Sequence, residues 1–186
     1  TADAAVPPAA RRDAAAGGRA MTGATGSAGC APDGDAVRIR PATADDHAAI
    51  AGLQGTSFPD RWSLDSVRRI ATLAGAVVLL AEREADGRPV GYLIGQVVTD
   101  EAEVHSLAVA ATARRRGIGR RLLTAFEATV AGLGAGSVVL EVASDDPVAT
   151  TLYESAGYEV VARRPGYYRI GRPQPVDAEV RRRSFR

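Results

Sequence analysis

The chain has 186 residues, of which 46% are hydrophobic and 24% are charged, a composition typical of a globular domain. All 23 basic residues are arginine, so the sequence excludes functions that need a lysine: phosphate-binding P-loops, Schiff-base enzymes and protein kinases. The net charge of +1 does not favour a nucleic-acid partner, and the longest apolar run, residues 73–81, is far shorter than the roughly 20 residues that cross a bilayer.

The first 36 residues predict a disordered tail. They hold 13 alanines, six glycines and three prolines, with almost no large apolar side chains, so burial cannot offset the entropy lost on ordering. They lack the charged start and apolar centre of a signal peptide, and the lone Cys30 cannot form an internal disulfide, which together predict a cytoplasmic protein. We expect an idle tail or a translation start at Met21, with a docking role as the alternative.

Residues 37–186 predict one domain. In some of their segments apolar residues recur at every second position, as in strands, and in others they recur at helical spacing. In chain order the predicted elements are a strand at 37–40, a helix from the capping box at 43–46 to about Gly55, a helix capped by Ser63, strands at 76–83, 90–99 and 101–110, a helix at 118–133, a strand at 137–142, a helix from Pro147 to Gly157, and strands at 158–164 and 178–185. This order indicates an α+β or mixed α/β fold.

The third predicted helix shows an apolar stripe that indicates its buried face. The stripe consists of Ile118, Leu122, Phe126, Val130 and Leu133. The next strand, residues 137–142, is almost wholly apolar, as expected for the interior of a sheet.

An arginine- and glycine-rich segment, Arg114–Arg121, lies between a predicted strand and this helix. Its glycines allow close approach of a ligand, and the first amides and the dipole of the helix favour an anion. Arginine side chains add charge-assisted hydrogen bonds suited to a diphosphate. Leu122 stands where a dinucleotide fingerprint has its third glycine, so the pattern predicts a diphosphate site that is not of the Rossmann type. The alternative is a glycine turn with a solvated basic face.

Four segments together resemble the GNAT acetyltransferases: Ser106–Val109, Arg114–Leu123, Val139–Val142 and Leu152–Tyr158. Within that superfamily the chain is similar to the RimI family, the bacterial ribosomal-protein-alanine N-terminal acetyltransferases. The supporting segments are Ser57–Pro59, Trp62–Ser63, Gln96–Val98, Asp100–Ala102, Leu140–Val142, Leu152–Ser155, Gly166–Tyr168 and Asp177–Ala178. The resemblance covers about residues 37–185. It implies a GNAT fold, with a mostly antiparallel twisted sheet of about seven strands and four helices.

The resemblance also implies the substrates and the site. The implied cosubstrate is acetyl-CoA, without a metal, and the implied acceptor is the N-terminal alanine of the eighteenth small-subunit ribosomal protein. Glu141 is the implied general base and Tyr153 the implied general acid. The implied cofactor-binding residues are Leu107, Ala108 and Val109 for pantetheine, Arg115, Arg116, Gly117, Ile118, Gly119 and Arg120 for the pyrophosphate, and Asp146, which stands where the family has an asparagine.

Residue chemistry supports these roles but leaves alternatives open. Glu141 lies on an otherwise apolar strand, a setting that suits a proton acceptor, and its alternative is a carboxylate in an ion pair. Tyr153 follows Asp146 by seven residues, which places both on one helix face, and its alternative is a packed core tyrosine. His105 is a candidate for a structural role or for a wall of the substrate site. Of Tyr167 and Tyr168, at most one is expected to contact a peptide.

Two other functions remain possible from the sequence. One is a GNAT enzyme that acetylates a small-molecule amine, which a strongly acidic acceptor site would favour. The other is a CoA-binding regulatory module without turnover.

Overall fold

The computed structural model describes residues 36–185, which form one seven-stranded sheet and four α-helices. The strands are β1 (Val37–Pro41), β2 (Ala76–Arg83), β3 (Pro89–Val98), β4 (Glu101–Val109), β5 (Ser137–Ala143), β6 (Glu159–Tyr168) and β7 (Val176–Ser184). The helices are α1 (His47–Ser57), α2 (Leu64–Ala71), α3 (Ile118–Gly132) and α4 (Pro147–Ser155), with short 3-10 turns at Ala44–Asp46 and Ala111–Ala113. The predicted mixed α/β fold is confirmed. The predicted disordered tail, apart from Ala36, and Cys30 lie outside the described residues.

The sheet has the order β1-β2-β3-β4-β5-β7-β6. Strands β2, β3 and β4 form an antiparallel meander with short connections, and β1 pairs antiparallel with β2 after a connection that contains α1 and α2. The pair β4 and β5 is parallel, and α3 makes the connection between them. Strands β5, β7 and β6 are antiparallel, so the sheet is mostly antiparallel with one parallel pair at its centre.

Helices cover both faces of the sheet. On one face, α1 and α2 bury Ile50, Val67 and Ile70 in a cluster with side chains of β2, β3 and β4. On the other face, α3 and α4 pack in the larger cluster, to which α3 contributes most of its predicted stripe. The exception is Leu133, which is 58% exposed because α3 ends one residue before it. Among residues 36–185, no helix has both the length and the apolar character needed to cross a membrane.

The last two strands differ from their predicted bounds. Strand β6 continues past residue 164 to Tyr168, through Pro165 and Gly166, because an edge strand needs hydrogen bonds on one side only and tolerates a proline. Gly166 has a φ of +59°, and its N–H donates to the Asp177 carboxylate at 2.8 Å, which holds the irregular stretch against β7. Strand β7 begins at Val176, two residues earlier than predicted.

An ion network centred on the buried Arg181 fastens α4 to the sheet. Arg181 of β7 has a side chain that is 3% exposed, and its guanidinium donates to Glu179 at 2.6 and 2.9 Å and to Glu154 of α4 at 2.8 Å. Removal of Arg181 leaves the buried Glu179 carboxylate with only the exposed Arg163 as a cationic partner. We therefore expect Arg181→Met to lower the free energy of unfolding by about 3 kcal/mol in urea denaturation.

Arg163 provides a matched control for this prediction, because it binds the same carboxylate from the surface. Its guanidinium lies 2.9 Å from Glu179, but its side chain is 63% exposed. We expect Arg163→Met to cost less than about 1 kcal/mol. Equal losses for the two variants would contradict the role of the buried network.

Candidate active site

The two parallel strands at the centre of the sheet pair over a short distance and then diverge. Glu101–Val104 of β4 pair with Ser137–Leu140 of β5, and the pairing ends there. Beyond this point β4 continues to Val109 as the partner of β3, while β5 continues to Ala143 as the partner of β7. The divergence leaves the β5-facing edge of Leu107–Val109 open to an extended ligand that pairs as another strand would.

A cleft of about 890 Å³ lies beside this open edge. Its volume is within the range of roughly 300–1,000 Å³ that is usual for ligand pockets. The predicted cofactor-binding residues that line the cleft are Leu107, Ala108, Val109, Arg115, Gly117, Ile118, Gly119, Arg120 and Asp146. Tyr153 lines it too, as do Ser57 and Phe58 at the end of α1. Of the predicted site residues, Arg116 and Glu141 do not line it.

The arginine- and glycine-rich segment enters α3 through two residues with a left-handed backbone, Arg115 at a φ of 63° and Gly117 at 73°. Such a conformation costs Arg115 on the order of 1 kcal/mol, a strain often found where a loop binds a ligand. The first hydrogen bond of the helix runs from the Arg121 N–H to the Gly117 carbonyl at 3.0 Å. The N–H groups of residues 118–120 precede it, so they and the helix dipole offer a site for an anion.

Gly119 lies where α3, β4 and α4 converge beside the cleft. A Cβ atom at this position would lie 3.5 Å from Leu152, 3.7 Å from Leu107 and 3.8 Å from Val109, which is ordinary van der Waals contact. A methyl group therefore fits at position 119, and a larger or charged side chain must extend into the cleft.

Gly119→Asp is expected to weaken binding of acetyl-CoA by at least about tenfold in calorimetry. Like charges 4 Å apart near a protein surface repel by about 4 kcal/mol, and about 1.4 kcal/mol already corresponds to a tenfold change in affinity. Gly119→Ala tests the effect of added volume without a charge. Gly132→Asp tests the effect of an added negative charge, because position 132 has open space and lies at the far end of the same helix. Unchanged affinity in Gly119→Asp would exclude the segment as the diphosphate site.

The start of α4 contributes the next group of predicted residues. The Asp146 carboxylate accepts a hydrogen bond from the Ala149 N–H at 2.9 Å, which confirms it as the predicted helix cap, with Pro147 at the first position. Tyr153 lines the same cleft as Asp146, as their spacing predicts, and it is only 4% exposed. Its ring meets that of Tyr158 edge to face, with centroids 5.8 Å apart. Tyr153 is thus both packed and in contact with the cleft.

Glu141 lies on β5, just beyond the point where the two parallel strands diverge. Its Oε1 is 2.7 Å from Arg164 Nη1, and the two side chains are 18% and 56% exposed. The ion pair that stood as the alternative for Glu141 is therefore present. Burial and a hydrogen bond to the Glu141 carboxylate raise the pKa of the Tyr167 hydroxyl to about 12. Of these two adjacent tyrosines, Tyr168 is the buried one.

Sequence reasoning missed two charged residues: Arg164, the ion-pair partner of Glu141, and Glu103, which lies beside His105. His105, whose Nδ1 lies 3.8 Å from Glu103 Oε1, lowers the pKa of Glu103, and the charge of Arg164 contributes. Arg164 therefore acts electrostatically on carboxylates of both parallel strands. It enters the site from the edge strand β6, and an arginine in an exposed strand has no local signal that separates it from a solvated one.

Residues 47–158 match the sequence profile of the acetyltransferase (GNAT) family, which is more than half of the chain. The chain belongs to the GNAT acetyltransferase family. The resemblance predicted from the four sequence segments is thereby confirmed, and the protein is an N-acetyltransferase.

Characterised and uncharacterised proteins are related to this GNAT acetyltransferase. A [ribosomal protein bS18]-alanine N-acetyltransferase of Salmonella typhimurium is 32% identical over 127 residues, which are 64% of this chain and 86% of that protein. The N-alpha-acetyltransferase RimI of Mycobacterium tuberculosis is 38% identical over 102 residues, 53% of this chain and 61% of that protein. An uncharacterised Mycobacterium leprae protein is 41% identical over 83 residues, or 42% of this chain, but the match spans only 22% of its length.

A solved structure confirms the fold of the GNAT acetyltransferase. The crystal structure of the ribosomal-protein-S18-alanine N-acetyltransferase from Escherichia coli superposes with a TM-score of 0.74 at 24% identity. The match covers 80% of this chain and 94% of that one. The expected GNAT arrangement of seven strands and four helices is therefore confirmed.

Proposed function

We propose that this GNAT acetyltransferase transfers an acetyl group from acetyl-CoA to the N-terminal α-amine of a protein, namely the N-terminal alanine of ribosomal protein bS18. The observation that carries the proposal is the match to the Salmonella typhimurium enzyme of that name, which extends over 86% of its length. The residues that match the GNAT family profile, 47–158, include every residue that lines the cleft. We further propose residues 37–186 as the catalytic domain and the cytoplasm as the place of the reaction.

Acetyl-CoA fits the cleft by the chemistry of its parts. The open edge of Leu107–Val109 suits the amides of pantetheine, which pair with a strand. The diphosphate suits the N-terminal amides of α3 with the charges of Arg115 and Arg120, and Arg116 adds to the positive potential from outside the cleft wall. Asp146 supplies a carboxylate that caps α4 but has no amide to donate.

The reaction then needs a neutral amine and a protonated leaving group. The terminal amine of a peptide has a pKa of about 7.7–8.0, so a small share is already neutral at pH 7. Glu141 accepts the proton that the amine loses, and because it lies outside the cleft wall, a water molecule carries the proton to it. Tyr153 donates its proton to the sulfur as the N–C bond forms and the C–S bond breaks. Solvent restores both side chains.

Release of free thiol from acetyl-CoA tests the proposal. We expect release to depend on an alanine-starting peptide and to disappear when its α-amine is blocked, even if the blocked peptide carries an internal lysine. Faster release with a polyamine or an aminoglycoside than with the peptide would favour a small-molecule acceptor. Tight binding of acetyl-CoA without release for any amine would favour a regulatory module.

A further inference from the structure

The segment between α1 and α2 is held from inside by a buried glutamine. Gln54 of α1 is fully buried, its Nε2 donates to the Asp60 carbonyl at 2.6 Å, and its Oε1 accepts from the Trp62 N–H at 2.7 Å. Both ends of the amide are therefore used on the backbone of one short segment. A buried amide is costly unless its polar atoms are bonded, so these two contacts fix the path of the segment.

This segment forms part of the cleft and part of the core. Phe58 lines the cleft, and it belongs with Trp62 to the apolar cluster under α1 and α2. The two side chains are 8% and 4% exposed. Because Gln54 binds the backbone on both sides of Arg61, it sets the direction in which the chain travels from Phe58 to Trp62.

The same segment supports the loop between β6 and β7. A Cβ atom on Gly171, whose φ is +71°, would lie 2.5 Å from the Cβ of Pro59, so Gly171 packs against the Pro59 ring without room for a side chain. The neighbouring Arg172 pairs with Asp145 and covers the ring of Tyr168 at 5.8 Å. This loop is therefore seated on the α1–α2 segment on one side and on the β5–α4 turn on the other.

We infer that Gln54 is a positioning residue for the acceptor side of the cleft, an inference that rests on the proposed function. Phe58 lines the same cleft as the arginine-rich segment but belongs to a different wall, and we assign the diphosphate to the arginine-rich segment and the amine to the Phe58 wall. Gln54 holds this wall and, through Pro59 and Gly171, the loop that carries β6 into β7. It touches neither the donor end nor the reacting atoms, and it acts only through the segment that it binds.

Gln54→Met tests the inference because it keeps the length of the side chain and removes both hydrogen bonds. The Asp60 carbonyl and the Trp62 N–H lose their buried partner, so the segment must move to satisfy them. We expect the KM for an alanine-starting peptide to rise by about tenfold or more. The KM for acetyl-CoA is expected to stay within about twofold, because the donor end is untouched.

Two further variants keep the test specific. Gln96→Met removes a similar bond, from Nε2 to the Ala74 carbonyl at 2.8 Å, on an exposed part of β3 away from the cleft, and it is expected to leave both KM values unchanged. Gly171→Ala presses on Pro59 from the opposite side and is expected to raise the KM for the peptide without any change in α1. A fall in melting temperature with an unchanged peptide KM, or an equal rise of both KM values, would overturn the inference.

Trp62 is the only tryptophan of the chain, so its fluorescence reports on this segment without any acceptor. We expect acrylamide to quench Trp62 more strongly in Gln54→Met than in the wild type, at equal circular dichroism. Equal quenching would contradict the positioning role. If the wild type does not acetylate the peptide, the proposed function fails, and the fluorescence result still decides whether Gln54 positions the segment.

Discussion

Replacement of Tyr153 with phenylalanine is expected to lower kcat by about 10²–10⁴-fold, the usual contribution of a positioned acid. Tyr153 lines the cleft, and the change removes only its hydroxyl, so the ring contact with Tyr158 at 5.8 Å is retained. If the phenol protonates the departing sulfur, its hydrogen bond forms mainly in the transition state. The KM for the peptide should therefore move little, and steady-state kinetics on one preparation measures both constants.

Tyr158 provides the matched control for this result. It is the partner in the same ring pair and is equally buried, but it does not line the cleft. We expect Tyr158→Phe to keep kcat within about threefold of the wild type, because Tyr158 does not line the cleft. A Tyr153→Phe variant with full activity and a lower melting temperature would make Tyr153 a core residue and remove it from the mechanism.

Glu141→Gln is expected to lower the rate by about 10²–10⁴-fold near neutral pH, with affinity for acetyl-CoA nearly unchanged. The glutamine keeps the shape of the side chain but accepts no proton. Glu141 does not line the donor cleft, so calorimetry with acetyl-CoA should give similar affinities for the two proteins.

The ion pair with Arg164 requires a second variant, because Glu141→Gln also removes the negative charge from that pair. Arg164→Gln deletes the ion pair, which spans 2.7 Å, and leaves the carboxylate in place. We expect its loss of rate to be much smaller than that of Glu141→Gln. Equal losses in both variants would assign the effect to the ion pair, and a loss under about threefold in Glu141→Gln would mean that the amine loses its proton without this residue.

Most elements follow from local sequence signals, and the structure shows why these succeed. The cap of α4 by Asp146 and Pro147 and the stop at Gly157 with its φ of +83° each depend on a few neighbouring residues. The cleft also follows from local pattern, because the glycine-rich start of α3 and the strand before it are adjacent in the chain. Nine of the ten predicted cofactor-binding residues line it.

Features that depend on distant pairing did not follow from the sequence. Arg164 of β6 reaches Glu141 of β5 across β7, because β6 lies two strands away from β5 in the sheet. The periodicity of the sequence does not encode this strand order. The extension of β6 through Pro165 depends on its place at the sheet edge. The hydrogen bonds from Gln54 to the backbone of residues 60 and 62 also have no signal in the sequence, because a lone glutamine on a helix is usually solvated.

Mass spectrometry of the N-termini of small-subunit ribosomal proteins tests the proposed function most directly. Ribosomes are compared from cells with the gene, without it, and without it but supplied with either the wild type or Glu141→Gln. We expect the N-terminal alanine of bS18 to be acetylated with the gene, free without it, and restored by the wild type but not by the variant. An N-terminal alanine that stays acetylated without the gene, or is free in cells that have it, would contradict the proposal.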